Sequence, residues 1–558
     1  MTKLLPTLAI VTSLAFAVPA AAHAGTDVDL RHQPSFEIIG AGPIDFAGSQ
    51  VAPAGDVNGD GVDDVLIAAP SADPLRRKNA GAVYVVFGRR RSHAEVRAHP
   101  AARIAMNGAH AQGFAIVGAH AGDEVGNAIA PAGDVNGDGL DDVVVASDDG
   151  APVPIIPNQP RAPEGAMGSV SIIYGSRHPS AIDLGYLGVR GMRIANDVPL
   201  TFQLGTTLAG GRDVNGDGHP DIVLTDEATS PDYTGVRTPA DLPAPNPRHA
   251  YVLFGGHGSA LAQPGTTIST GALGTAGYRI DSPAIDSASL AADMNGDHRA
   301  EVVLGTWKQL PGTDTLVGTV AFGRTAAGGP PLQLDALGPA DGFRLLDSRQ
   351  LNQEPQVSGG GDTDGDGRGD VLVVSHVLLG HQRYAGAVDV VHGAPSGAPV
   401  YVDRPSARVL TAVSPSVPYI PAPPPPKNAP AGAVLPTAPM LGPTPIDAAA
   451  IVGDLDGDGR DDVLTGGNWS PKGRQGAGSA FVFRGRSGAG RIALSGPHRG
   501  STVRIDGAYA QDALGMAAAP AGDFNGDGRP DLLISGPGAT RDGRLRAGAA
   551  WVITGVAP

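Results

Sequence analysis

Seven times along this chain the pattern D-x-[ND]-x-D-G-x-x-[DE] places oxygen donors at alternate positions of a tight turn, with the glycine replaced in the fourth copy only. Alternate residues of such a turn point at one centre, and calcium, with six to eight oxygen ligands at flexible geometry, is the cation that this donor set suits. In the first copy Asp56, Asn58, Asp60 and Asp64 supply side-chain oxygens, Val62 its main-chain carbonyl, and Gly61 permits the sharp turn. The equivalent ligands are Asp134, Asn136, Asp138, Leu140 and Asp142 in the second copy, and Asp213, Asn215, Asp217, His219 and Asp221 in the third. The fourth copy has Asp293, Asn295, Asp297, Arg299 and Glu301, and the fifth Asp362, Asp364, Asp366, Arg368 and Asp370. Asp454, Asp456, Asp458, Arg460 and Asp462 form the sixth, and Asp523, Asn525, Asp527, Arg529 and Asp531 the seventh. The fourth copy is the exception, because His298 replaces the turn glycine and Glu301 the last Asp, which leaves its occupancy open. Six or seven bound calcium ions are expected, mainly structural. Seven would bring +14 against a formal charge of -16, so the acidity reads as unfilled metal sites rather than as an acidic partner surface.

The elements that must hold these loops recur with them. The copies begin 78, 79, 80, 69, 92 and 69 residues apart, and so span almost the whole chain. A short run of small or apolar residues precedes each loop, as in Val51-Ala52-Pro53-Ala54-Gly55, and an apolar run of strand length follows it, as in Val65-Leu66-Ile67-Ala68-Ala69. An EF-hand would instead continue into a helix and place a bidentate Glu at loop position twelve, which here is Ile67. A further strand closed by glycine comes next, Ala82 to Gly88 in the first repeat, and a weaker one appears at Phe36-Glu37-Ile38-Ile39 and at Phe114-Ala115-Ile116-Val117. Four strands at this period are the signature of a propeller blade. The chain is therefore expected to be all-β, a seven-bladed β-propeller of four-stranded antiparallel blades. The last repeat stops after Trp551 and lacks an outer strand, while the strand at Phe36 is spare at the other end, so the N-terminal strand is expected to close the last blade and remove two exposed edges.

At this point the sequence resembles the FG-GAP repeat family, the propeller of integrin α subunits, over residues 36 to 556. Phe46-Ala47-Gly48, Phe202-Gln203-Leu204-Gly205 and Leu514-Gly515 stand where that family has Phe-Gly, and Ala68-Ala69-Pro70 stands for Gly-Ala-Pro. The resemblance implies that each calcium loop joins the first and second strands of a blade on one rim of the ring. The loops that vary most, Asp149 to Met167, Asp226 to Arg248 and Val377 to Tyr384, would then lie on the opposite rim, where a rigid scaffold usually carries its binding surface.

Residues 1–24 read as a signal peptide, a charged start and an apolar run before Ala22-His23-Ala24, so that 25–35 is a short N-terminal segment and 36–558 the propeller. Secretion, or a periplasmic or cell-surface location, follows, with no other run long enough to span a membrane. Cysteine is absent, which excludes disulfides and thiolate chemistry and leaves calcium to brace the ring. The negative charge argues against nucleic acid. Ser414 to Pro445 is a proline-rich insertion that reads as an extended loop, and it explains the spacing of 92. Arg368-Gly369-Asp370 spells an adhesive tripeptide but falls inside the fifth loop, and Asn468-Trp469-Ser470 is a glycosylation sequon. No G-x-S-x-G, H-E-x-x-H or histidine–carboxylate cluster is present. Phospholipase D specific for glycosylphosphatidylinositol also carries FG-GAP repeats, but its chemistry belongs to a separate domain. The expected function is a monomeric extracellular binding or adhesion module with a protein or glycan ligand. A hydrolase, phospholipase D-like or glycan-active, and a glycan-binding lectin are the alternatives.

Overall fold

Each run that follows an acidic loop is apolar at nearly every position, which suits a strand covered on both faces. A computed structural model bears this out: Asp64–Ala69, Asp142–Ser147, Asp221–Thr225, Asp462–Gly467 and Asp531–Gly536 are buried at every residue. The structure describes residues 27–558, less 33–34, 91–101, 107–111, 149–167, 197–200, 229–247, 312–313, 326, 352, 380–382, 396, 405, 407, 415–416, 419–445, 468–470, 472, 495–501 and 557. The proline-rich insertion beyond Pro418, the sequon, the signal segment and most of the first two variable loops lie outside the described residues.

Seven antiparallel sheets form the ring. The first blade runs outward in chain order from Val51–Gly55 through Asp64–Ala69 and Ala82–Val86 to Gly113–Val117, and the other blades repeat that order. The fifth blade supplies the outer strand that its repeat hid from the sequence, Val409–Val413. Closure occurs as expected: Ser35–Ile39 pairs antiparallel with Ala549–Ile553, placing Phe36 opposite Val552 and Ile39 opposite Ala549.

A fifth, short strand lies parallel on the outside of every blade, which the four-strand reading did not foresee. It is lent by the following blade, from the connection between that blade's third and fourth strands. Ile182–Asp183 of the second blade thus pairs with Gly113–Val117 of the first, and Ala102–Ala105 of the first pairs with the N-terminal strand in the seventh. The sixth blade receives Val28–Asp29, so the segment before Ser35 is built into the ring. Two of these loans are clamped alike. Arg77 grips Asp183 at 2.8 and 2.9 Å, and Arg474 grips Asp29 at 3.1 and 3.0 Å.

The apolar core follows the same logic. It consists of seven clusters, each shared by two neighbouring blades: the first and second blades share Leu66, Val85, Val143 and Ile173, and the seventh and first share Phe36, Ile67, Phe524 and Val552. No blade has a core of its own, so the ring must close for the last interface to be buried.

Candidate metal centre

Every acidic loop joins the first and second strands of its blade, as the resemblance implies. Within the loop the first Asp caps its own turn. One oxygen of Asp56 accepts the N–H groups of Gly59 and Asp60 at 2.7 and 3.0 Å, and the other accepts that of Gly61 at 2.8 Å. In all seven loops the sixth residue's N–H reaches the first Asp at 2.7–2.8 Å. The seventh residue's N–H reaches the fifth-position Asp at 2.9–3.1 Å, so Val62, Leu140, His219, Arg299, Arg368, Arg460 and Arg529 sit in one shared conformation.

The ninth residue is different in kind. Asp64, Asp142, Asp221, Glu301, Asp370, Asp462 and Asp531 are 0–1% exposed. Each begins the second strand or, for Asp370, immediately precedes it, and in five blades the carboxylate is tied across the blade: the glycines that follow the third strands, Gly88, Gly175, Gly255, Gly393 and Gly485, donate to it at 2.8–3.0 Å. Those glycines had read only as turn formers. Burial pushes six of them far above the usual carboxylate range, Asp64 and Asp142 to about 8, Asp221 and Asp462 to about 7, and Glu301 and Asp531 to about 9.

Three buried oxygens at expected ligand positions, Asp142 Oδ2, Glu301 Oε1 and Asn525 Oδ1, have no hydrogen-bond partner among the described residues. A buried polar atom left without a partner costs about 1–3 kcal/mol. A cation at the loop centre would satisfy all three, and a set made of carboxylates and amide or main-chain carbonyls fits calcium. Among the described residues, ligand atoms of Asp293, Asp297 and Glu301, of Asp362, Asp364 and Asp366, and of Asp454, Asp456 and Asp462 converge within 4.8 Å. The fourth loop therefore keeps its cluster despite His298.

His298 bears a cost for doing so. Its φ of +67° lies in the left-handed region that favours glycine, and its side chain is 97% exposed, with only a long 3.9 Å approach to Asp293 to offset the strain. His298→Gly is expected to stabilise the protein by about 1 kcal/mol, the penalty that an L-residue bears there, and to tighten calcium binding at this loop. A fall in melting temperature on that substitution would show that the ring uses His298 for something else.

The fifth and sixth loops carry Asp rather than Asn at their third position, and each has acquired a basic neighbour. The residue before the closing glycine is Phe87, Tyr174, Phe254 and Phe322 in the first four blades, but His392 and Arg484 in the next two. Arg484 Nε lies 2.9 Å from Asp456, and His392 Nδ1 lies 3.2 Å from Asp370 and 3.8 Å from Asp364. The extra negative charge is thus matched locally. Arg368-Gly369-Asp370 is closed as an adhesive motif, since Asp370 is fully buried and Arg368 is turned onto Asp366 at 3.0 Å.

Position eight, which carried no expectation, joins blade to blade. Asp141 accepts the N–H of Asp56 at 2.8 Å, Asp461 that of Asp362 at 2.9 Å, and Asp63 that of Asp523 at 2.7 Å. Away from the loops, Asp226 gathers His249 Nδ1 at 2.9 Å and the Tyr251 hydroxyl at 2.7 Å, all three closed to solvent inside the third blade.

Comparison with known proteins agrees with the ring. The FG-GAP repeat model matches residues 47–86 and 515–553. Integrin alpha-PS2 of Drosophila melanogaster is 30% identical over 198 residues, 34% of this chain and 12% of that protein. Integrin alpha pat-2 of Caenorhabditis elegans is 30% identical over 191 residues, 32% of this chain and 13% of that protein. The matched part is therefore about an eighth of the length of either relative. Among the described residues no helix is long and apolar enough to cross a membrane.

Proposed function

Starting from a chain that carries FG-GAP repeats on a seven-bladed, integrin-α-like propeller, we propose that it is a secreted binding module, braced by calcium on one rim and engaging an extracellular protein or glycan on the other. Calcium is held in each loop by the first, third, fifth and ninth side chains and the seventh carbonyl, and it supplies charge compensation for buried carboxylates rather than a catalytic step.

The observation that carries this reading is the distribution of exposed apolar side chains. Of seven large ones among the described residues, Ile44, Leu75, Tyr509 and Leu545 lie in connections on the rim away from the calcium loops, Trp307 lies near the end of the strand Glu301–Gln309 toward that rim, and only Tyr186 and Val189 lie on the calcium rim. Ile44 and Leu75 also hold left-handed backbone, φ 64° and 52°. That conformation is an outlier for a β-branched or bulky residue and is kept where the surroundings impose it, often at functional surfaces.

A glycan array and a pull-down from extracellular matrix proteins separate the lectin from the protein-adhesion reading. The paired variants Leu75→Asp with Leu545→Asp, and Tyr186→Asp, then locate the surface. Capture lost in the first and kept in the second supports the opposite rim. The reverse result assigns binding to the calcium rim and refutes the proposal.

A further inference from the structure

Along the ring axis the first strands of the blades enclose, at the calcium-loop end, a cavity of ≈520 Å³. Around that end each junction brings together two residues: the one before a loop's first Asp, and the eighth loop residue of the next blade. At three junctions a glycine meets an aspartate. A Cβ at Gly55, Gly361 or Gly522 would come within 2.2, 1.7 or 2.2 Å of a carboxylate oxygen of Asp141, Asp461 or Asp63. At two more, Gly133 and Gly453 meet Pro220 and Pro530 at 2.9 and 3.1 Å.

Between the third and fourth blades the pattern inverts. The glycine is replaced by Arg212 and the aspartate or proline by Ala300. The alanine methyl leaves free the space that a larger side chain takes elsewhere, and the guanidinium lines the cavity. Arg212 is partly buried, and among the described residues its side chain makes no hydrogen bond and no ion pair. Asp461 stands on the same wall, but its carboxylate already accepts the Asp362 N–H at 2.9 Å. The rest of the wall is mixed, with Ile129, Leu290 and Ile451 among its apolar side chains and Ser289 and Ser358 among its polar ones.

We propose that this cavity binds a small organic monocarboxylate, its carboxylate on the Arg212 guanidinium and its apolar body against Ile129, Leu290 and Ile451. An arginine fork matches a carboxylate with two parallel N–H donors. A partly buried cation that makes no hydrogen bond or ion pair, and has only the longer-range attraction of Asp461, is costly, and an anionic ligand relieves that cost. Asp461 on the wall and a net charge of -16 disfavour a multiply charged anion. The volume falls within the range of about 300–1,000 Å³ typical of small-molecule sites.

The test is titration calorimetry on calcium-loaded protein with hexanoate, using hexan-1-ol as the neutral probe of the same chain length. Saturable 1:1 binding of hexanoate is expected, weakened about tenfold or more for hexanol and in Arg212→Gln, the loss of one charge-assisted contact. Arg212→Gly serves as the second variant, because five of the seven blades carry glycine at this position. Both variants should melt no lower than the parent, since the guanidinium has no hydrogen bond or ion pair to lose and its attraction to Asp461 is offset by its burial. Absence of saturable hexanoate binding, equal affinity in the variants, full competition by chloride at the hexanoate concentration, or a markedly lower melting temperature in both variants would each overturn the assignment.

Discussion

Protein stripped of calcium is expected to melt far below the calcium-loaded form, and the gap should widen as the pH rises from about 5 to about 9. Extracellular calcium modules hold the ion at about 10⁻⁴ to 10⁻³ M, so at tenfold excess each site adds about 1.4 kcal/mol to the folded state. Six or seven such sites approach the whole stability of an ordinary domain, about 5–15 kcal/mol. The pH dependence comes from the ninth-position acids. Burial holds Asp64, Asp142, Asp221, Glu301, Asp462 and Asp531 at about 7 to 9, whereas in the unfolded chain they titrate near 4. Without metal, the folded state keeps protons that the unfolded state releases. Its stability is therefore full below about pH 4 and is lost as the pH climbs toward 7–9. Calcium replaces those protons, so the loaded protein is favoured where the stripped one is weakest. Thermal melts at pH 5.5 and 8.5, with and without calcium, read this directly. Equal melting temperatures at pH 8.5 would exclude a structural role for the metal.

Deleting residues 25–42 is expected to be as damaging, although it removes no calcium ligand. The strand Ser35–Ile39 holds five pairings with Ala549–Ile553, and Ala102–Ala105 docks on its other edge. Phe36, Ile38 and Ile39 are buried, each worth about 1.5–3 kcal/mol, and the Phe36 ring meets Phe524 of the seventh loop edge-on at 5.2 Å. Glu37 also leaves with the strand. It accepts from Arg541 Nε at 2.5 Å while Asp512 takes the other side of that guanidinium, so the deletion half-strips a buried cation. The truncated protein should aggregate through the bare edge or lose its cooperative transition. Phe36→Ala, at about 3–5 kcal/mol, gives a milder version that should still fold. A truncated protein that stays monomeric, melts at the parent temperature and keeps its calcium would show that the ring does not depend on this strand.

The parts of the molecule that obey a strong repeat could be read from the residues. Alternating acids followed by an uninterrupted apolar run define a loop and a doubly buried strand, and the count of strands at the two ends predicts the strand at Phe36 beside the strand that contains Trp551. What could not be read depends on relations between repeats. The lent fifth strands are two to four residues long, as in Val28–Asp29 and Ile182–Asp183, too short for a periodicity to emerge. In five of the seven the trace is an apolar residue two before a Leu or Met, as in Val28-Asp29-Leu30 and Ile104-Ala105-Met106, but Ile268 is followed by Thr270 and Val400 by Val402. Asp63, Asp141 and Asp461 look like ligands because they adjoin ligands, and only the ring brings them to the next loop. The match between Asp364 or Asp456 and His392 or Arg484 would have appeared had the residues before the closing glycines been aligned with the third loop position. Arg212 gave no signal, since its meaning lies in the Ala300 of a different blade.

The most direct test of the account is the number of ions that the mature protein binds. Calorimetry, together with metal analysis after dialysis against micromolar calcium and then against millimolar calcium, should find six or seven per chain at the higher concentration, with the fourth loop the last to fill. Two ions or fewer would contradict it, because the seven loops would then be acidic turns and the buried carboxylates would need another explanation.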